Sequence, residues 1–148
     1  MTNCDTEFGK HLETRGIIGN FNPDYFTASS FGSLELQQRP NSESIGQAID
    51  YSESTQVEVQ TVSLDSLGLN RIDLIKIDVE AMEPDVLEGA SETIRRDHPM
   101  LVVEMIKSDR KKLRSWLENS GYLPLQDRSN LVALHHSDKC LQFFKSAT

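Results

Sequence analysis

The feature that most limits what this chain can fold into is the run Ile72-Asp73-Leu74-Ile75-Lys76-Ile77-Asp78-Val79-Glu80, followed at once by helix signals. Apolar and β-branched residues with charges intruding at alternate positions predict a central parallel strand covered on both faces. Pro84 suits the first turn of a helix, with Glu83 and Asp85 beside it where the dipole favours acids. Val86, Leu87, Ala90 and Ile94 share one face at helical spacing, which predicts a single helix closed by Arg95 and Arg96 and stopped at His98-Pro99. Met100 to Met105 reads as a second buried strand. Ser108 is the expected cap of a further helix carrying Leu113, Trp116 and Leu117 on its buried face and ending near Gly121. Tyr122 to Leu125 and Leu131 to His135 flank the turn-rich QDRSN and are expected to pair antiparallel. Strands alternating with helices imply a parallel sheet with helical crossovers.

Upstream of residue 56 the signals weaken. Ser33-Leu34-Glu35-Leu36-Gln37 alternates like a brief strand, and Ile45 to Ile49 suggests a helical turn inside a loop. The Gly16-Ile17-Ile18-Gly19 segment is read as loop. Val57 to Val62 alternates like a half-buried strand, and Leu64 to Leu67 suits a helical turn containing Asp65, which can cap it. The expected organisation is one domain over 1–148: an irregular 1–56 and a strand-helix-strand-helix-hairpin core over 57–148.

At 148 residues the chain can bury a core of its own. A net charge of −8 disfavours general attraction to nucleic acid. The cluster Arg110, Lys111, Lys112 and Arg114 is read as a solvated helix face. No run reaches the roughly 18 apolar residues of a membrane span, and MTNCDTEFGKHLETRG lacks the apolar stretch of a signal peptide. A cytoplasmic protein without a membrane partner is the expectation. Cys4 and Cys140 have no metal-ligand spacing, and neither do His11, His98, His135 and His136, so no metal site is expected among them. Trp116 is read as core. No G-x-S-x-G or P-loop pattern occurs, which argues against hydrolase and nucleotide-phosphate chemistry.

Strand alternation places Leu74, Lys76, Asp78 and Glu80 on one side and Ile75, Ile77 and Val79 on the other. Ligands of open α/β sheets bind beyond the carboxyl ends of the strands. Asp78, Glu80 and Glu104, at two such ends, are therefore expected to face one crevice, where a carboxylate can orient a hydroxyl or take its proton. The competing structural reading has Asp78 capping loop amides and Lys76 pairing with Glu104 or Asp78. Lys76 is read as structural.

Several motifs carry a resemblance. Leu64-Asp65-Ser66-Leu67, IDLIKIDVE at 72–80, Glu83, VLEGA at 86–90, Pro99 and VVE at 102–104 resemble the FkbM methyltransferases, over roughly Phe31 to Tyr122. That family follows DVE with glycine, where this chain has Ala81; at a position requiring positive φ, alanine would be strained.

The resemblance implies a partial Rossmann-like methyltransferase fold: a mostly parallel sheet, an antiparallel C-terminal hairpin and the first strands missing. It implies S-adenosylmethionine as cofactor and methyl transfer to an oxygen of a small molecule or sugar, with Asp78 and Glu80 catalytic and Glu104 at the substrate. The sequence holds no apolar strand running into G-x-G, so no cofactor-binding residue is assigned, and the cofactor half is expected to be missing or supplied elsewhere. The resemblance also places IDLIKIDVE beside an absent first strand. Its free edge is then expected to pair with another copy, a partner or the N-terminal segment. The alternative function is a truncated, inactive remnant acting as a homo-oligomeric binding module.

Overall fold

The computed structural model describes residues 15–18, 24–35, 42, 44–55 and 57–145. They fall into two compact units, divided between Val62 and Ser63.

In the first unit, strand β1 (Arg15–Ile18) pairs antiparallel with β2 (Val57–Gln60), Arg15 opposite Gln60 and Ile18 opposite Val57. The segment expected to be loop is thus a strand. Its partner lies forty residues downstream, out of reach of a local reading. The strand expected at Ser33 to Gln37 is absent as far as Glu35, while Leu36 and Gln37 lie outside the described residues. Phe31–Ser33 instead forms a 3-10 turn, its Ser33 amide folded back onto the Ser30 carbonyl. The helical turn expected at Ile45 to Ile49 does not form either. Gly46 has φ +95°, which no right-handed helix accepts. Ile45 is buried, and the Gln47 amide group donates to the Asp24 carbonyl and the Ser29 hydroxyl, 2.8 Å each.

The second unit holds a four-stranded sheet with β3 (Leu74–Ile77), β4 (Met100–Glu104), β6 (Asn130–His135) and β5 (Tyr122–Asp127) in that spatial order. β3 and β4 run parallel, with Leu74 beside Met100 and Ile77 beside Val103. β6 is antiparallel to both β4 and β5. The chain is α/β with a mixed sheet; the expected parallel arrangement is seen among the described strands in one pair. The expected hairpin forms, but it places its second strand next to β4 and its first at the edge.

Helices α1 (Glu83–Glu88), α2 (Ser91–Asp97) and α3 (Arg110–Asn119) contribute Leu87, Ile94, Leu113 and Leu117 to a core shared with Ile77, Leu101, Val103, Tyr122, Leu131 and Ala133. Each fully buried aliphatic side chain contributes about 1.5–3 kcal/mol. Trp116 packs partly buried against this cluster, as its spacing predicts. A short α4 (Leu141–Lys145) closes the described chain.

Sheet alternation matches the expected division of faces. Ile75, Ile77 and Val79 join the core, whereas Leu74 and Lys76 are exposed. Coverage on both faces is not observed for β3: Leu74 is 51% exposed, and among the described residues the strand lies at the sheet edge. The strand is also shorter than the run that encodes it. The Ile72 amide donates to the Asp97 carboxylate at 2.9 Å, and the Val79 amide to the Glu83 carboxylate at 3.4 Å, so side chains replace ladder bonds at both ends.

The single helix expected from Pro84 to Arg96 is two helices. Between them the Gly89 carbonyl accepts from the Asp65 amide, 3.0 Å. Asp65 also accepts from the Glu92 and Thr93 amides at 3.0 and 2.8 Å. Turn 65–67 therefore satisfies backbone groups that a continuous helix would have paired internally. Asp65 was expected to cap its own turn; the helix it caps is α2. The cap of α3 is Asp109, which accepts from the Lys111 and Lys112 amides, and not its neighbour Ser108.

Candidate active site

Two loops leave the carboxyl ends of the parallel pair, residues 78–82 after β3 and 105–109 after β4. One carboxylate oxygen from each of Asp78, Glu80 and Glu104 lies within 4.8 Å of the others. The three acids singled out from the sequence are brought together, on the sheet face opposite α1 to α3. Such a group can share a proton or hold a cation.

Their surroundings differ. Lys76 Nζ lies 2.5 Å from Asp78 Oδ2, so Lys76 pairs with Asp78 rather than Glu104. The lysine, and then a hydrogen bond from Glu104, hold the Asp78 carboxyl below the usual carboxylate range. Glu104 moves the other way. Burial, followed by its hydrogen bond to Asp78 and by the charges of Asp78, Glu80 and Glu83, raises its carboxyl above the ordinary value. Of the two carboxyls, Glu104 is therefore the one that holds a proton more readily. Glu80 is tied to Lys107 by a 2.9 Å ion pair whose side chains are only 17% and 11% exposed.

Amide capping, considered for Asp78, belongs to Glu83. This buried carboxylate accepts from the Val79 and Ala81 amides at 3.4 and 3.2 Å, and from the Ser108 hydroxyl. Glu80 and Ala81 both have positive φ, +50° and +74°. The position where the FkbM pattern carries glycine is therefore one that requires a left-handed backbone, and Ala81 occupies it under strain. Glu83, Lys107 and Ser108 were not singled out as site residues. Glu83 belongs to the FkbM pattern but reads equally as a dipole-favoured acid in a first helical turn, and Ser108 reads as a cap, so neither was assigned to the site.

The histidines gather elsewhere. His98 and His135 stack with ring centroids 3.6 Å apart, and burial followed by the neighbouring His98 and His136 lowers the His135 pKa. His11 and Cys4 lie outside the described residues, and Cys140 is a free, exposed thiol. No helix among the described residues is long and apolar enough to cross a membrane.

A nucleoside cofactor of the S-adenosylmethionine type needs backbone that approaches closely, which glycine permits. Neither loop that follows the parallel strands, 78–82 or 105–109, contains a glycine. In these two loops the carboxylates suit a hydroxyl or cationic group, and no glycine there opens the backbone to the nucleoside end of such a cofactor.

No curated protein and no solved structure matches the chain. The Methyltransferase FkbM domain model matches residues 10–124, which takes in both loops, all three carboxylates and the segment upstream of Phe31 where no resemblance was read. With that match spanning most of its length and the DVE and VVE motifs bringing three carboxylates together, the chain belongs to the FkbM methyltransferase domain family.

Proposed function

We propose that this chain forms the acceptor side of a methyltransferase that methylates an oxygen of a small molecule or sugar, and that 1–148 is one partial Rossmann-like domain with its core at 57–148. The observation that carries the reading is the Asp78–Glu80–Glu104 group at the carboxyl ends of β3 and β4, in a chain of this family. The family's usual methyl donor is S-adenosylmethionine, which when bound would supply an electrophilic methyl group.

This chain's residues act on the acceptor. Asp78, held ionised beside Lys76, accepts a hydrogen bond from an acceptor hydroxyl and orients it. Glu104, whose carboxyl has the greater proton affinity of the pair, takes the hydroxyl proton when it is ionised. Glu80, anchored by Lys107, stands beside the other two carboxylates and limits how the acceptor approaches them. The assignment refines the expectation from sequence, which gave proton transfer to Asp78 or Glu80 and substrate contact to Glu104.

Amide chemical-shift mapping tests the reading. Simple polyols and sugars, added to the full chain with S-adenosylhomocysteine, should perturb residues 78–82 and 104–108. Perturbations confined to other surfaces would end it.

A second reading, a homo-oligomeric binding module, is favoured by the edge of β3, which has no strand partner on its outer side among the described residues. The Asp73 carbonyl faces β4, where it accepts from the Met100 amide. By alternation Leu74 and Lys76 direct their backbone groups outward. Unpaired edge groups template strand addition. Light scattering over a concentration series should then show a dimer that Leu74→Pro dissociates. A monomer at every concentration would exclude this reading.

A further inference from the structure

Glu83 is 2% exposed, and a carboxylate buried that deeply persists only when its oxygens are satisfied. Its partners come from two different loops. Oε1 receives the Val79 and Ala81 amides of the 78–82 loop, and Oε2 receives the Ser108 hydroxyl of the 105–109 loop. The amides it captures bracket Glu80 and belong to a stretch whose two left-handed residues, at φ +50° and +74°, are disfavoured for side chains with a β-carbon. Such backbone survives when its surroundings over-determine it. A second link between the same loops, Lys107 to Glu80, depends on that backbone course, because Glu80 reaches Lys107 from the left-handed position.

We propose that Glu83 and Ser108 are positioning residues: together they impose the left-handed course of Glu80 and Ala81 and so fix where the Glu80 carboxylate stands relative to Asp78 and Glu104. Neither residue needs to touch a ligand. The proposal rests on the reading that these three carboxylates receive the acceptor. A buried bond between two loops would then govern which acceptors fit.

Carboxyl-carbon NMR titration of the full chain tests this without any ligand. The groups facing the three carboxylates are Lys76, Lys107 and Glu83, and a moved loop alters their distances and therefore the midpoints. Ser108→Ala leaves every charge in place while removing the bond. It should displace the Glu104 midpoint by roughly half a unit or more. Ser108→Thr, which keeps a hydroxyl, should restore the wild-type profile. Asp65→Ala, remote from the loops, should lower the melting temperature and leave the midpoints unchanged. Glu83→Gln is expected to reproduce the displacement, and if it fails to fold the serine pair still decides. Wild-type midpoints in Ser108→Ala, despite a lowered melting temperature, would overturn the proposal. Displaced midpoints in a protein that no acceptor perturbs at 78–82 or 104–108 would support positioning while removing the methyl-acceptor reading.

Discussion

Asp65 caps a helix it does not precede: its carboxylate oxygens accept from the Thr93 and Glu92 amides at 2.8 and 3.0 Å, nearly thirty residues along the chain. Turn 65–67 and helix α2 are thereby joined. The contact serves as an N-cap supplied from outside the helix, and losing a cap costs about 0.5–2 kcal/mol. Asp65→Ala should lower the unfolding free energy by about 1–2 kcal/mol in urea titrations, with α2 amides losing hydrogen-exchange protection first.

Ala81 sits at φ +74°, where a β-carbon is disfavoured. Glycine removes that penalty but gains freedom in the unfolded chain. The left-handed penalty of about 1–2 kcal/mol exceeds the entropy term. Ala81→Gly is therefore expected to stabilise the fold by about 1 kcal/mol, seen as a raised melting temperature.

Glu104 and Asp78 respond to pH in opposite senses. The Glu104 carboxyl is raised in the fold, so its contribution is fully present below its ordinary pKa and is lost as pH rises through the folded value. Asp78 is lowered, so its contribution is present above its ordinary pKa and is lost as pH falls through the folded value. Glu104→Gln keeps a donor for Asp78 but cannot ionise. The variant should lose the decline in stability on the alkaline side of the ordinary Glu pKa while keeping the acid-side decline. In the proposed reaction it should reduce methyl transfer by roughly 10²–10⁴-fold.

Tyr122 is 1% exposed, and its hydroxyl finds no hydrogen-bond partner among the described residues. Burial pushes its pKa well above the ordinary tyrosine range. The hydroxyl therefore stays protonated in the fold, and the stability this confers is present below the ordinary value and is lost as pH rises toward the folded one. Tyr122→Phe removes an unsatisfied group and keeps the ring, which packs edge-on to His135 at 5.2 Å. The substitution should be neutral or stabilising by up to about 1 kcal/mol. A loss above that in thermal unfolding would mean the hydroxyl has a partner.

How much of this was legible depended on how far each residue's partners lie along the chain. Period-two alternation separated exposed Lys76 from Ile75 and Ile77 within β3, and the strand-end rule pointed to Asp78, Glu80 and Glu104, whose carboxylate oxygens do meet. The hairpin and the burial of Leu113 and Leu117 were equally local. The break at Gly89 was not, since it depends on Asp65; nor was β1, which exists through pairing with residues 57–60. Ser108 and Asp109 are both capping types in adjacent positions, and composition does not choose between them. Glu83 carried a sufficient local explanation, which concealed its bonds to another loop. The strain at Ala81 depended on the sign of φ, which only the coordinates supply.

The position of β6 between β4 and β5 has a consequence for synthesis. Translation delivers Asn130–His135 last of the described strands, yet that ribbon lies inside the four-stranded sheet. Until it clears the ribosome exit tunnel, β4 has one bare flank and the hairpin cannot dock. A nascent chain stalled before Asn130 lacks this ribbon and should recruit chaperones.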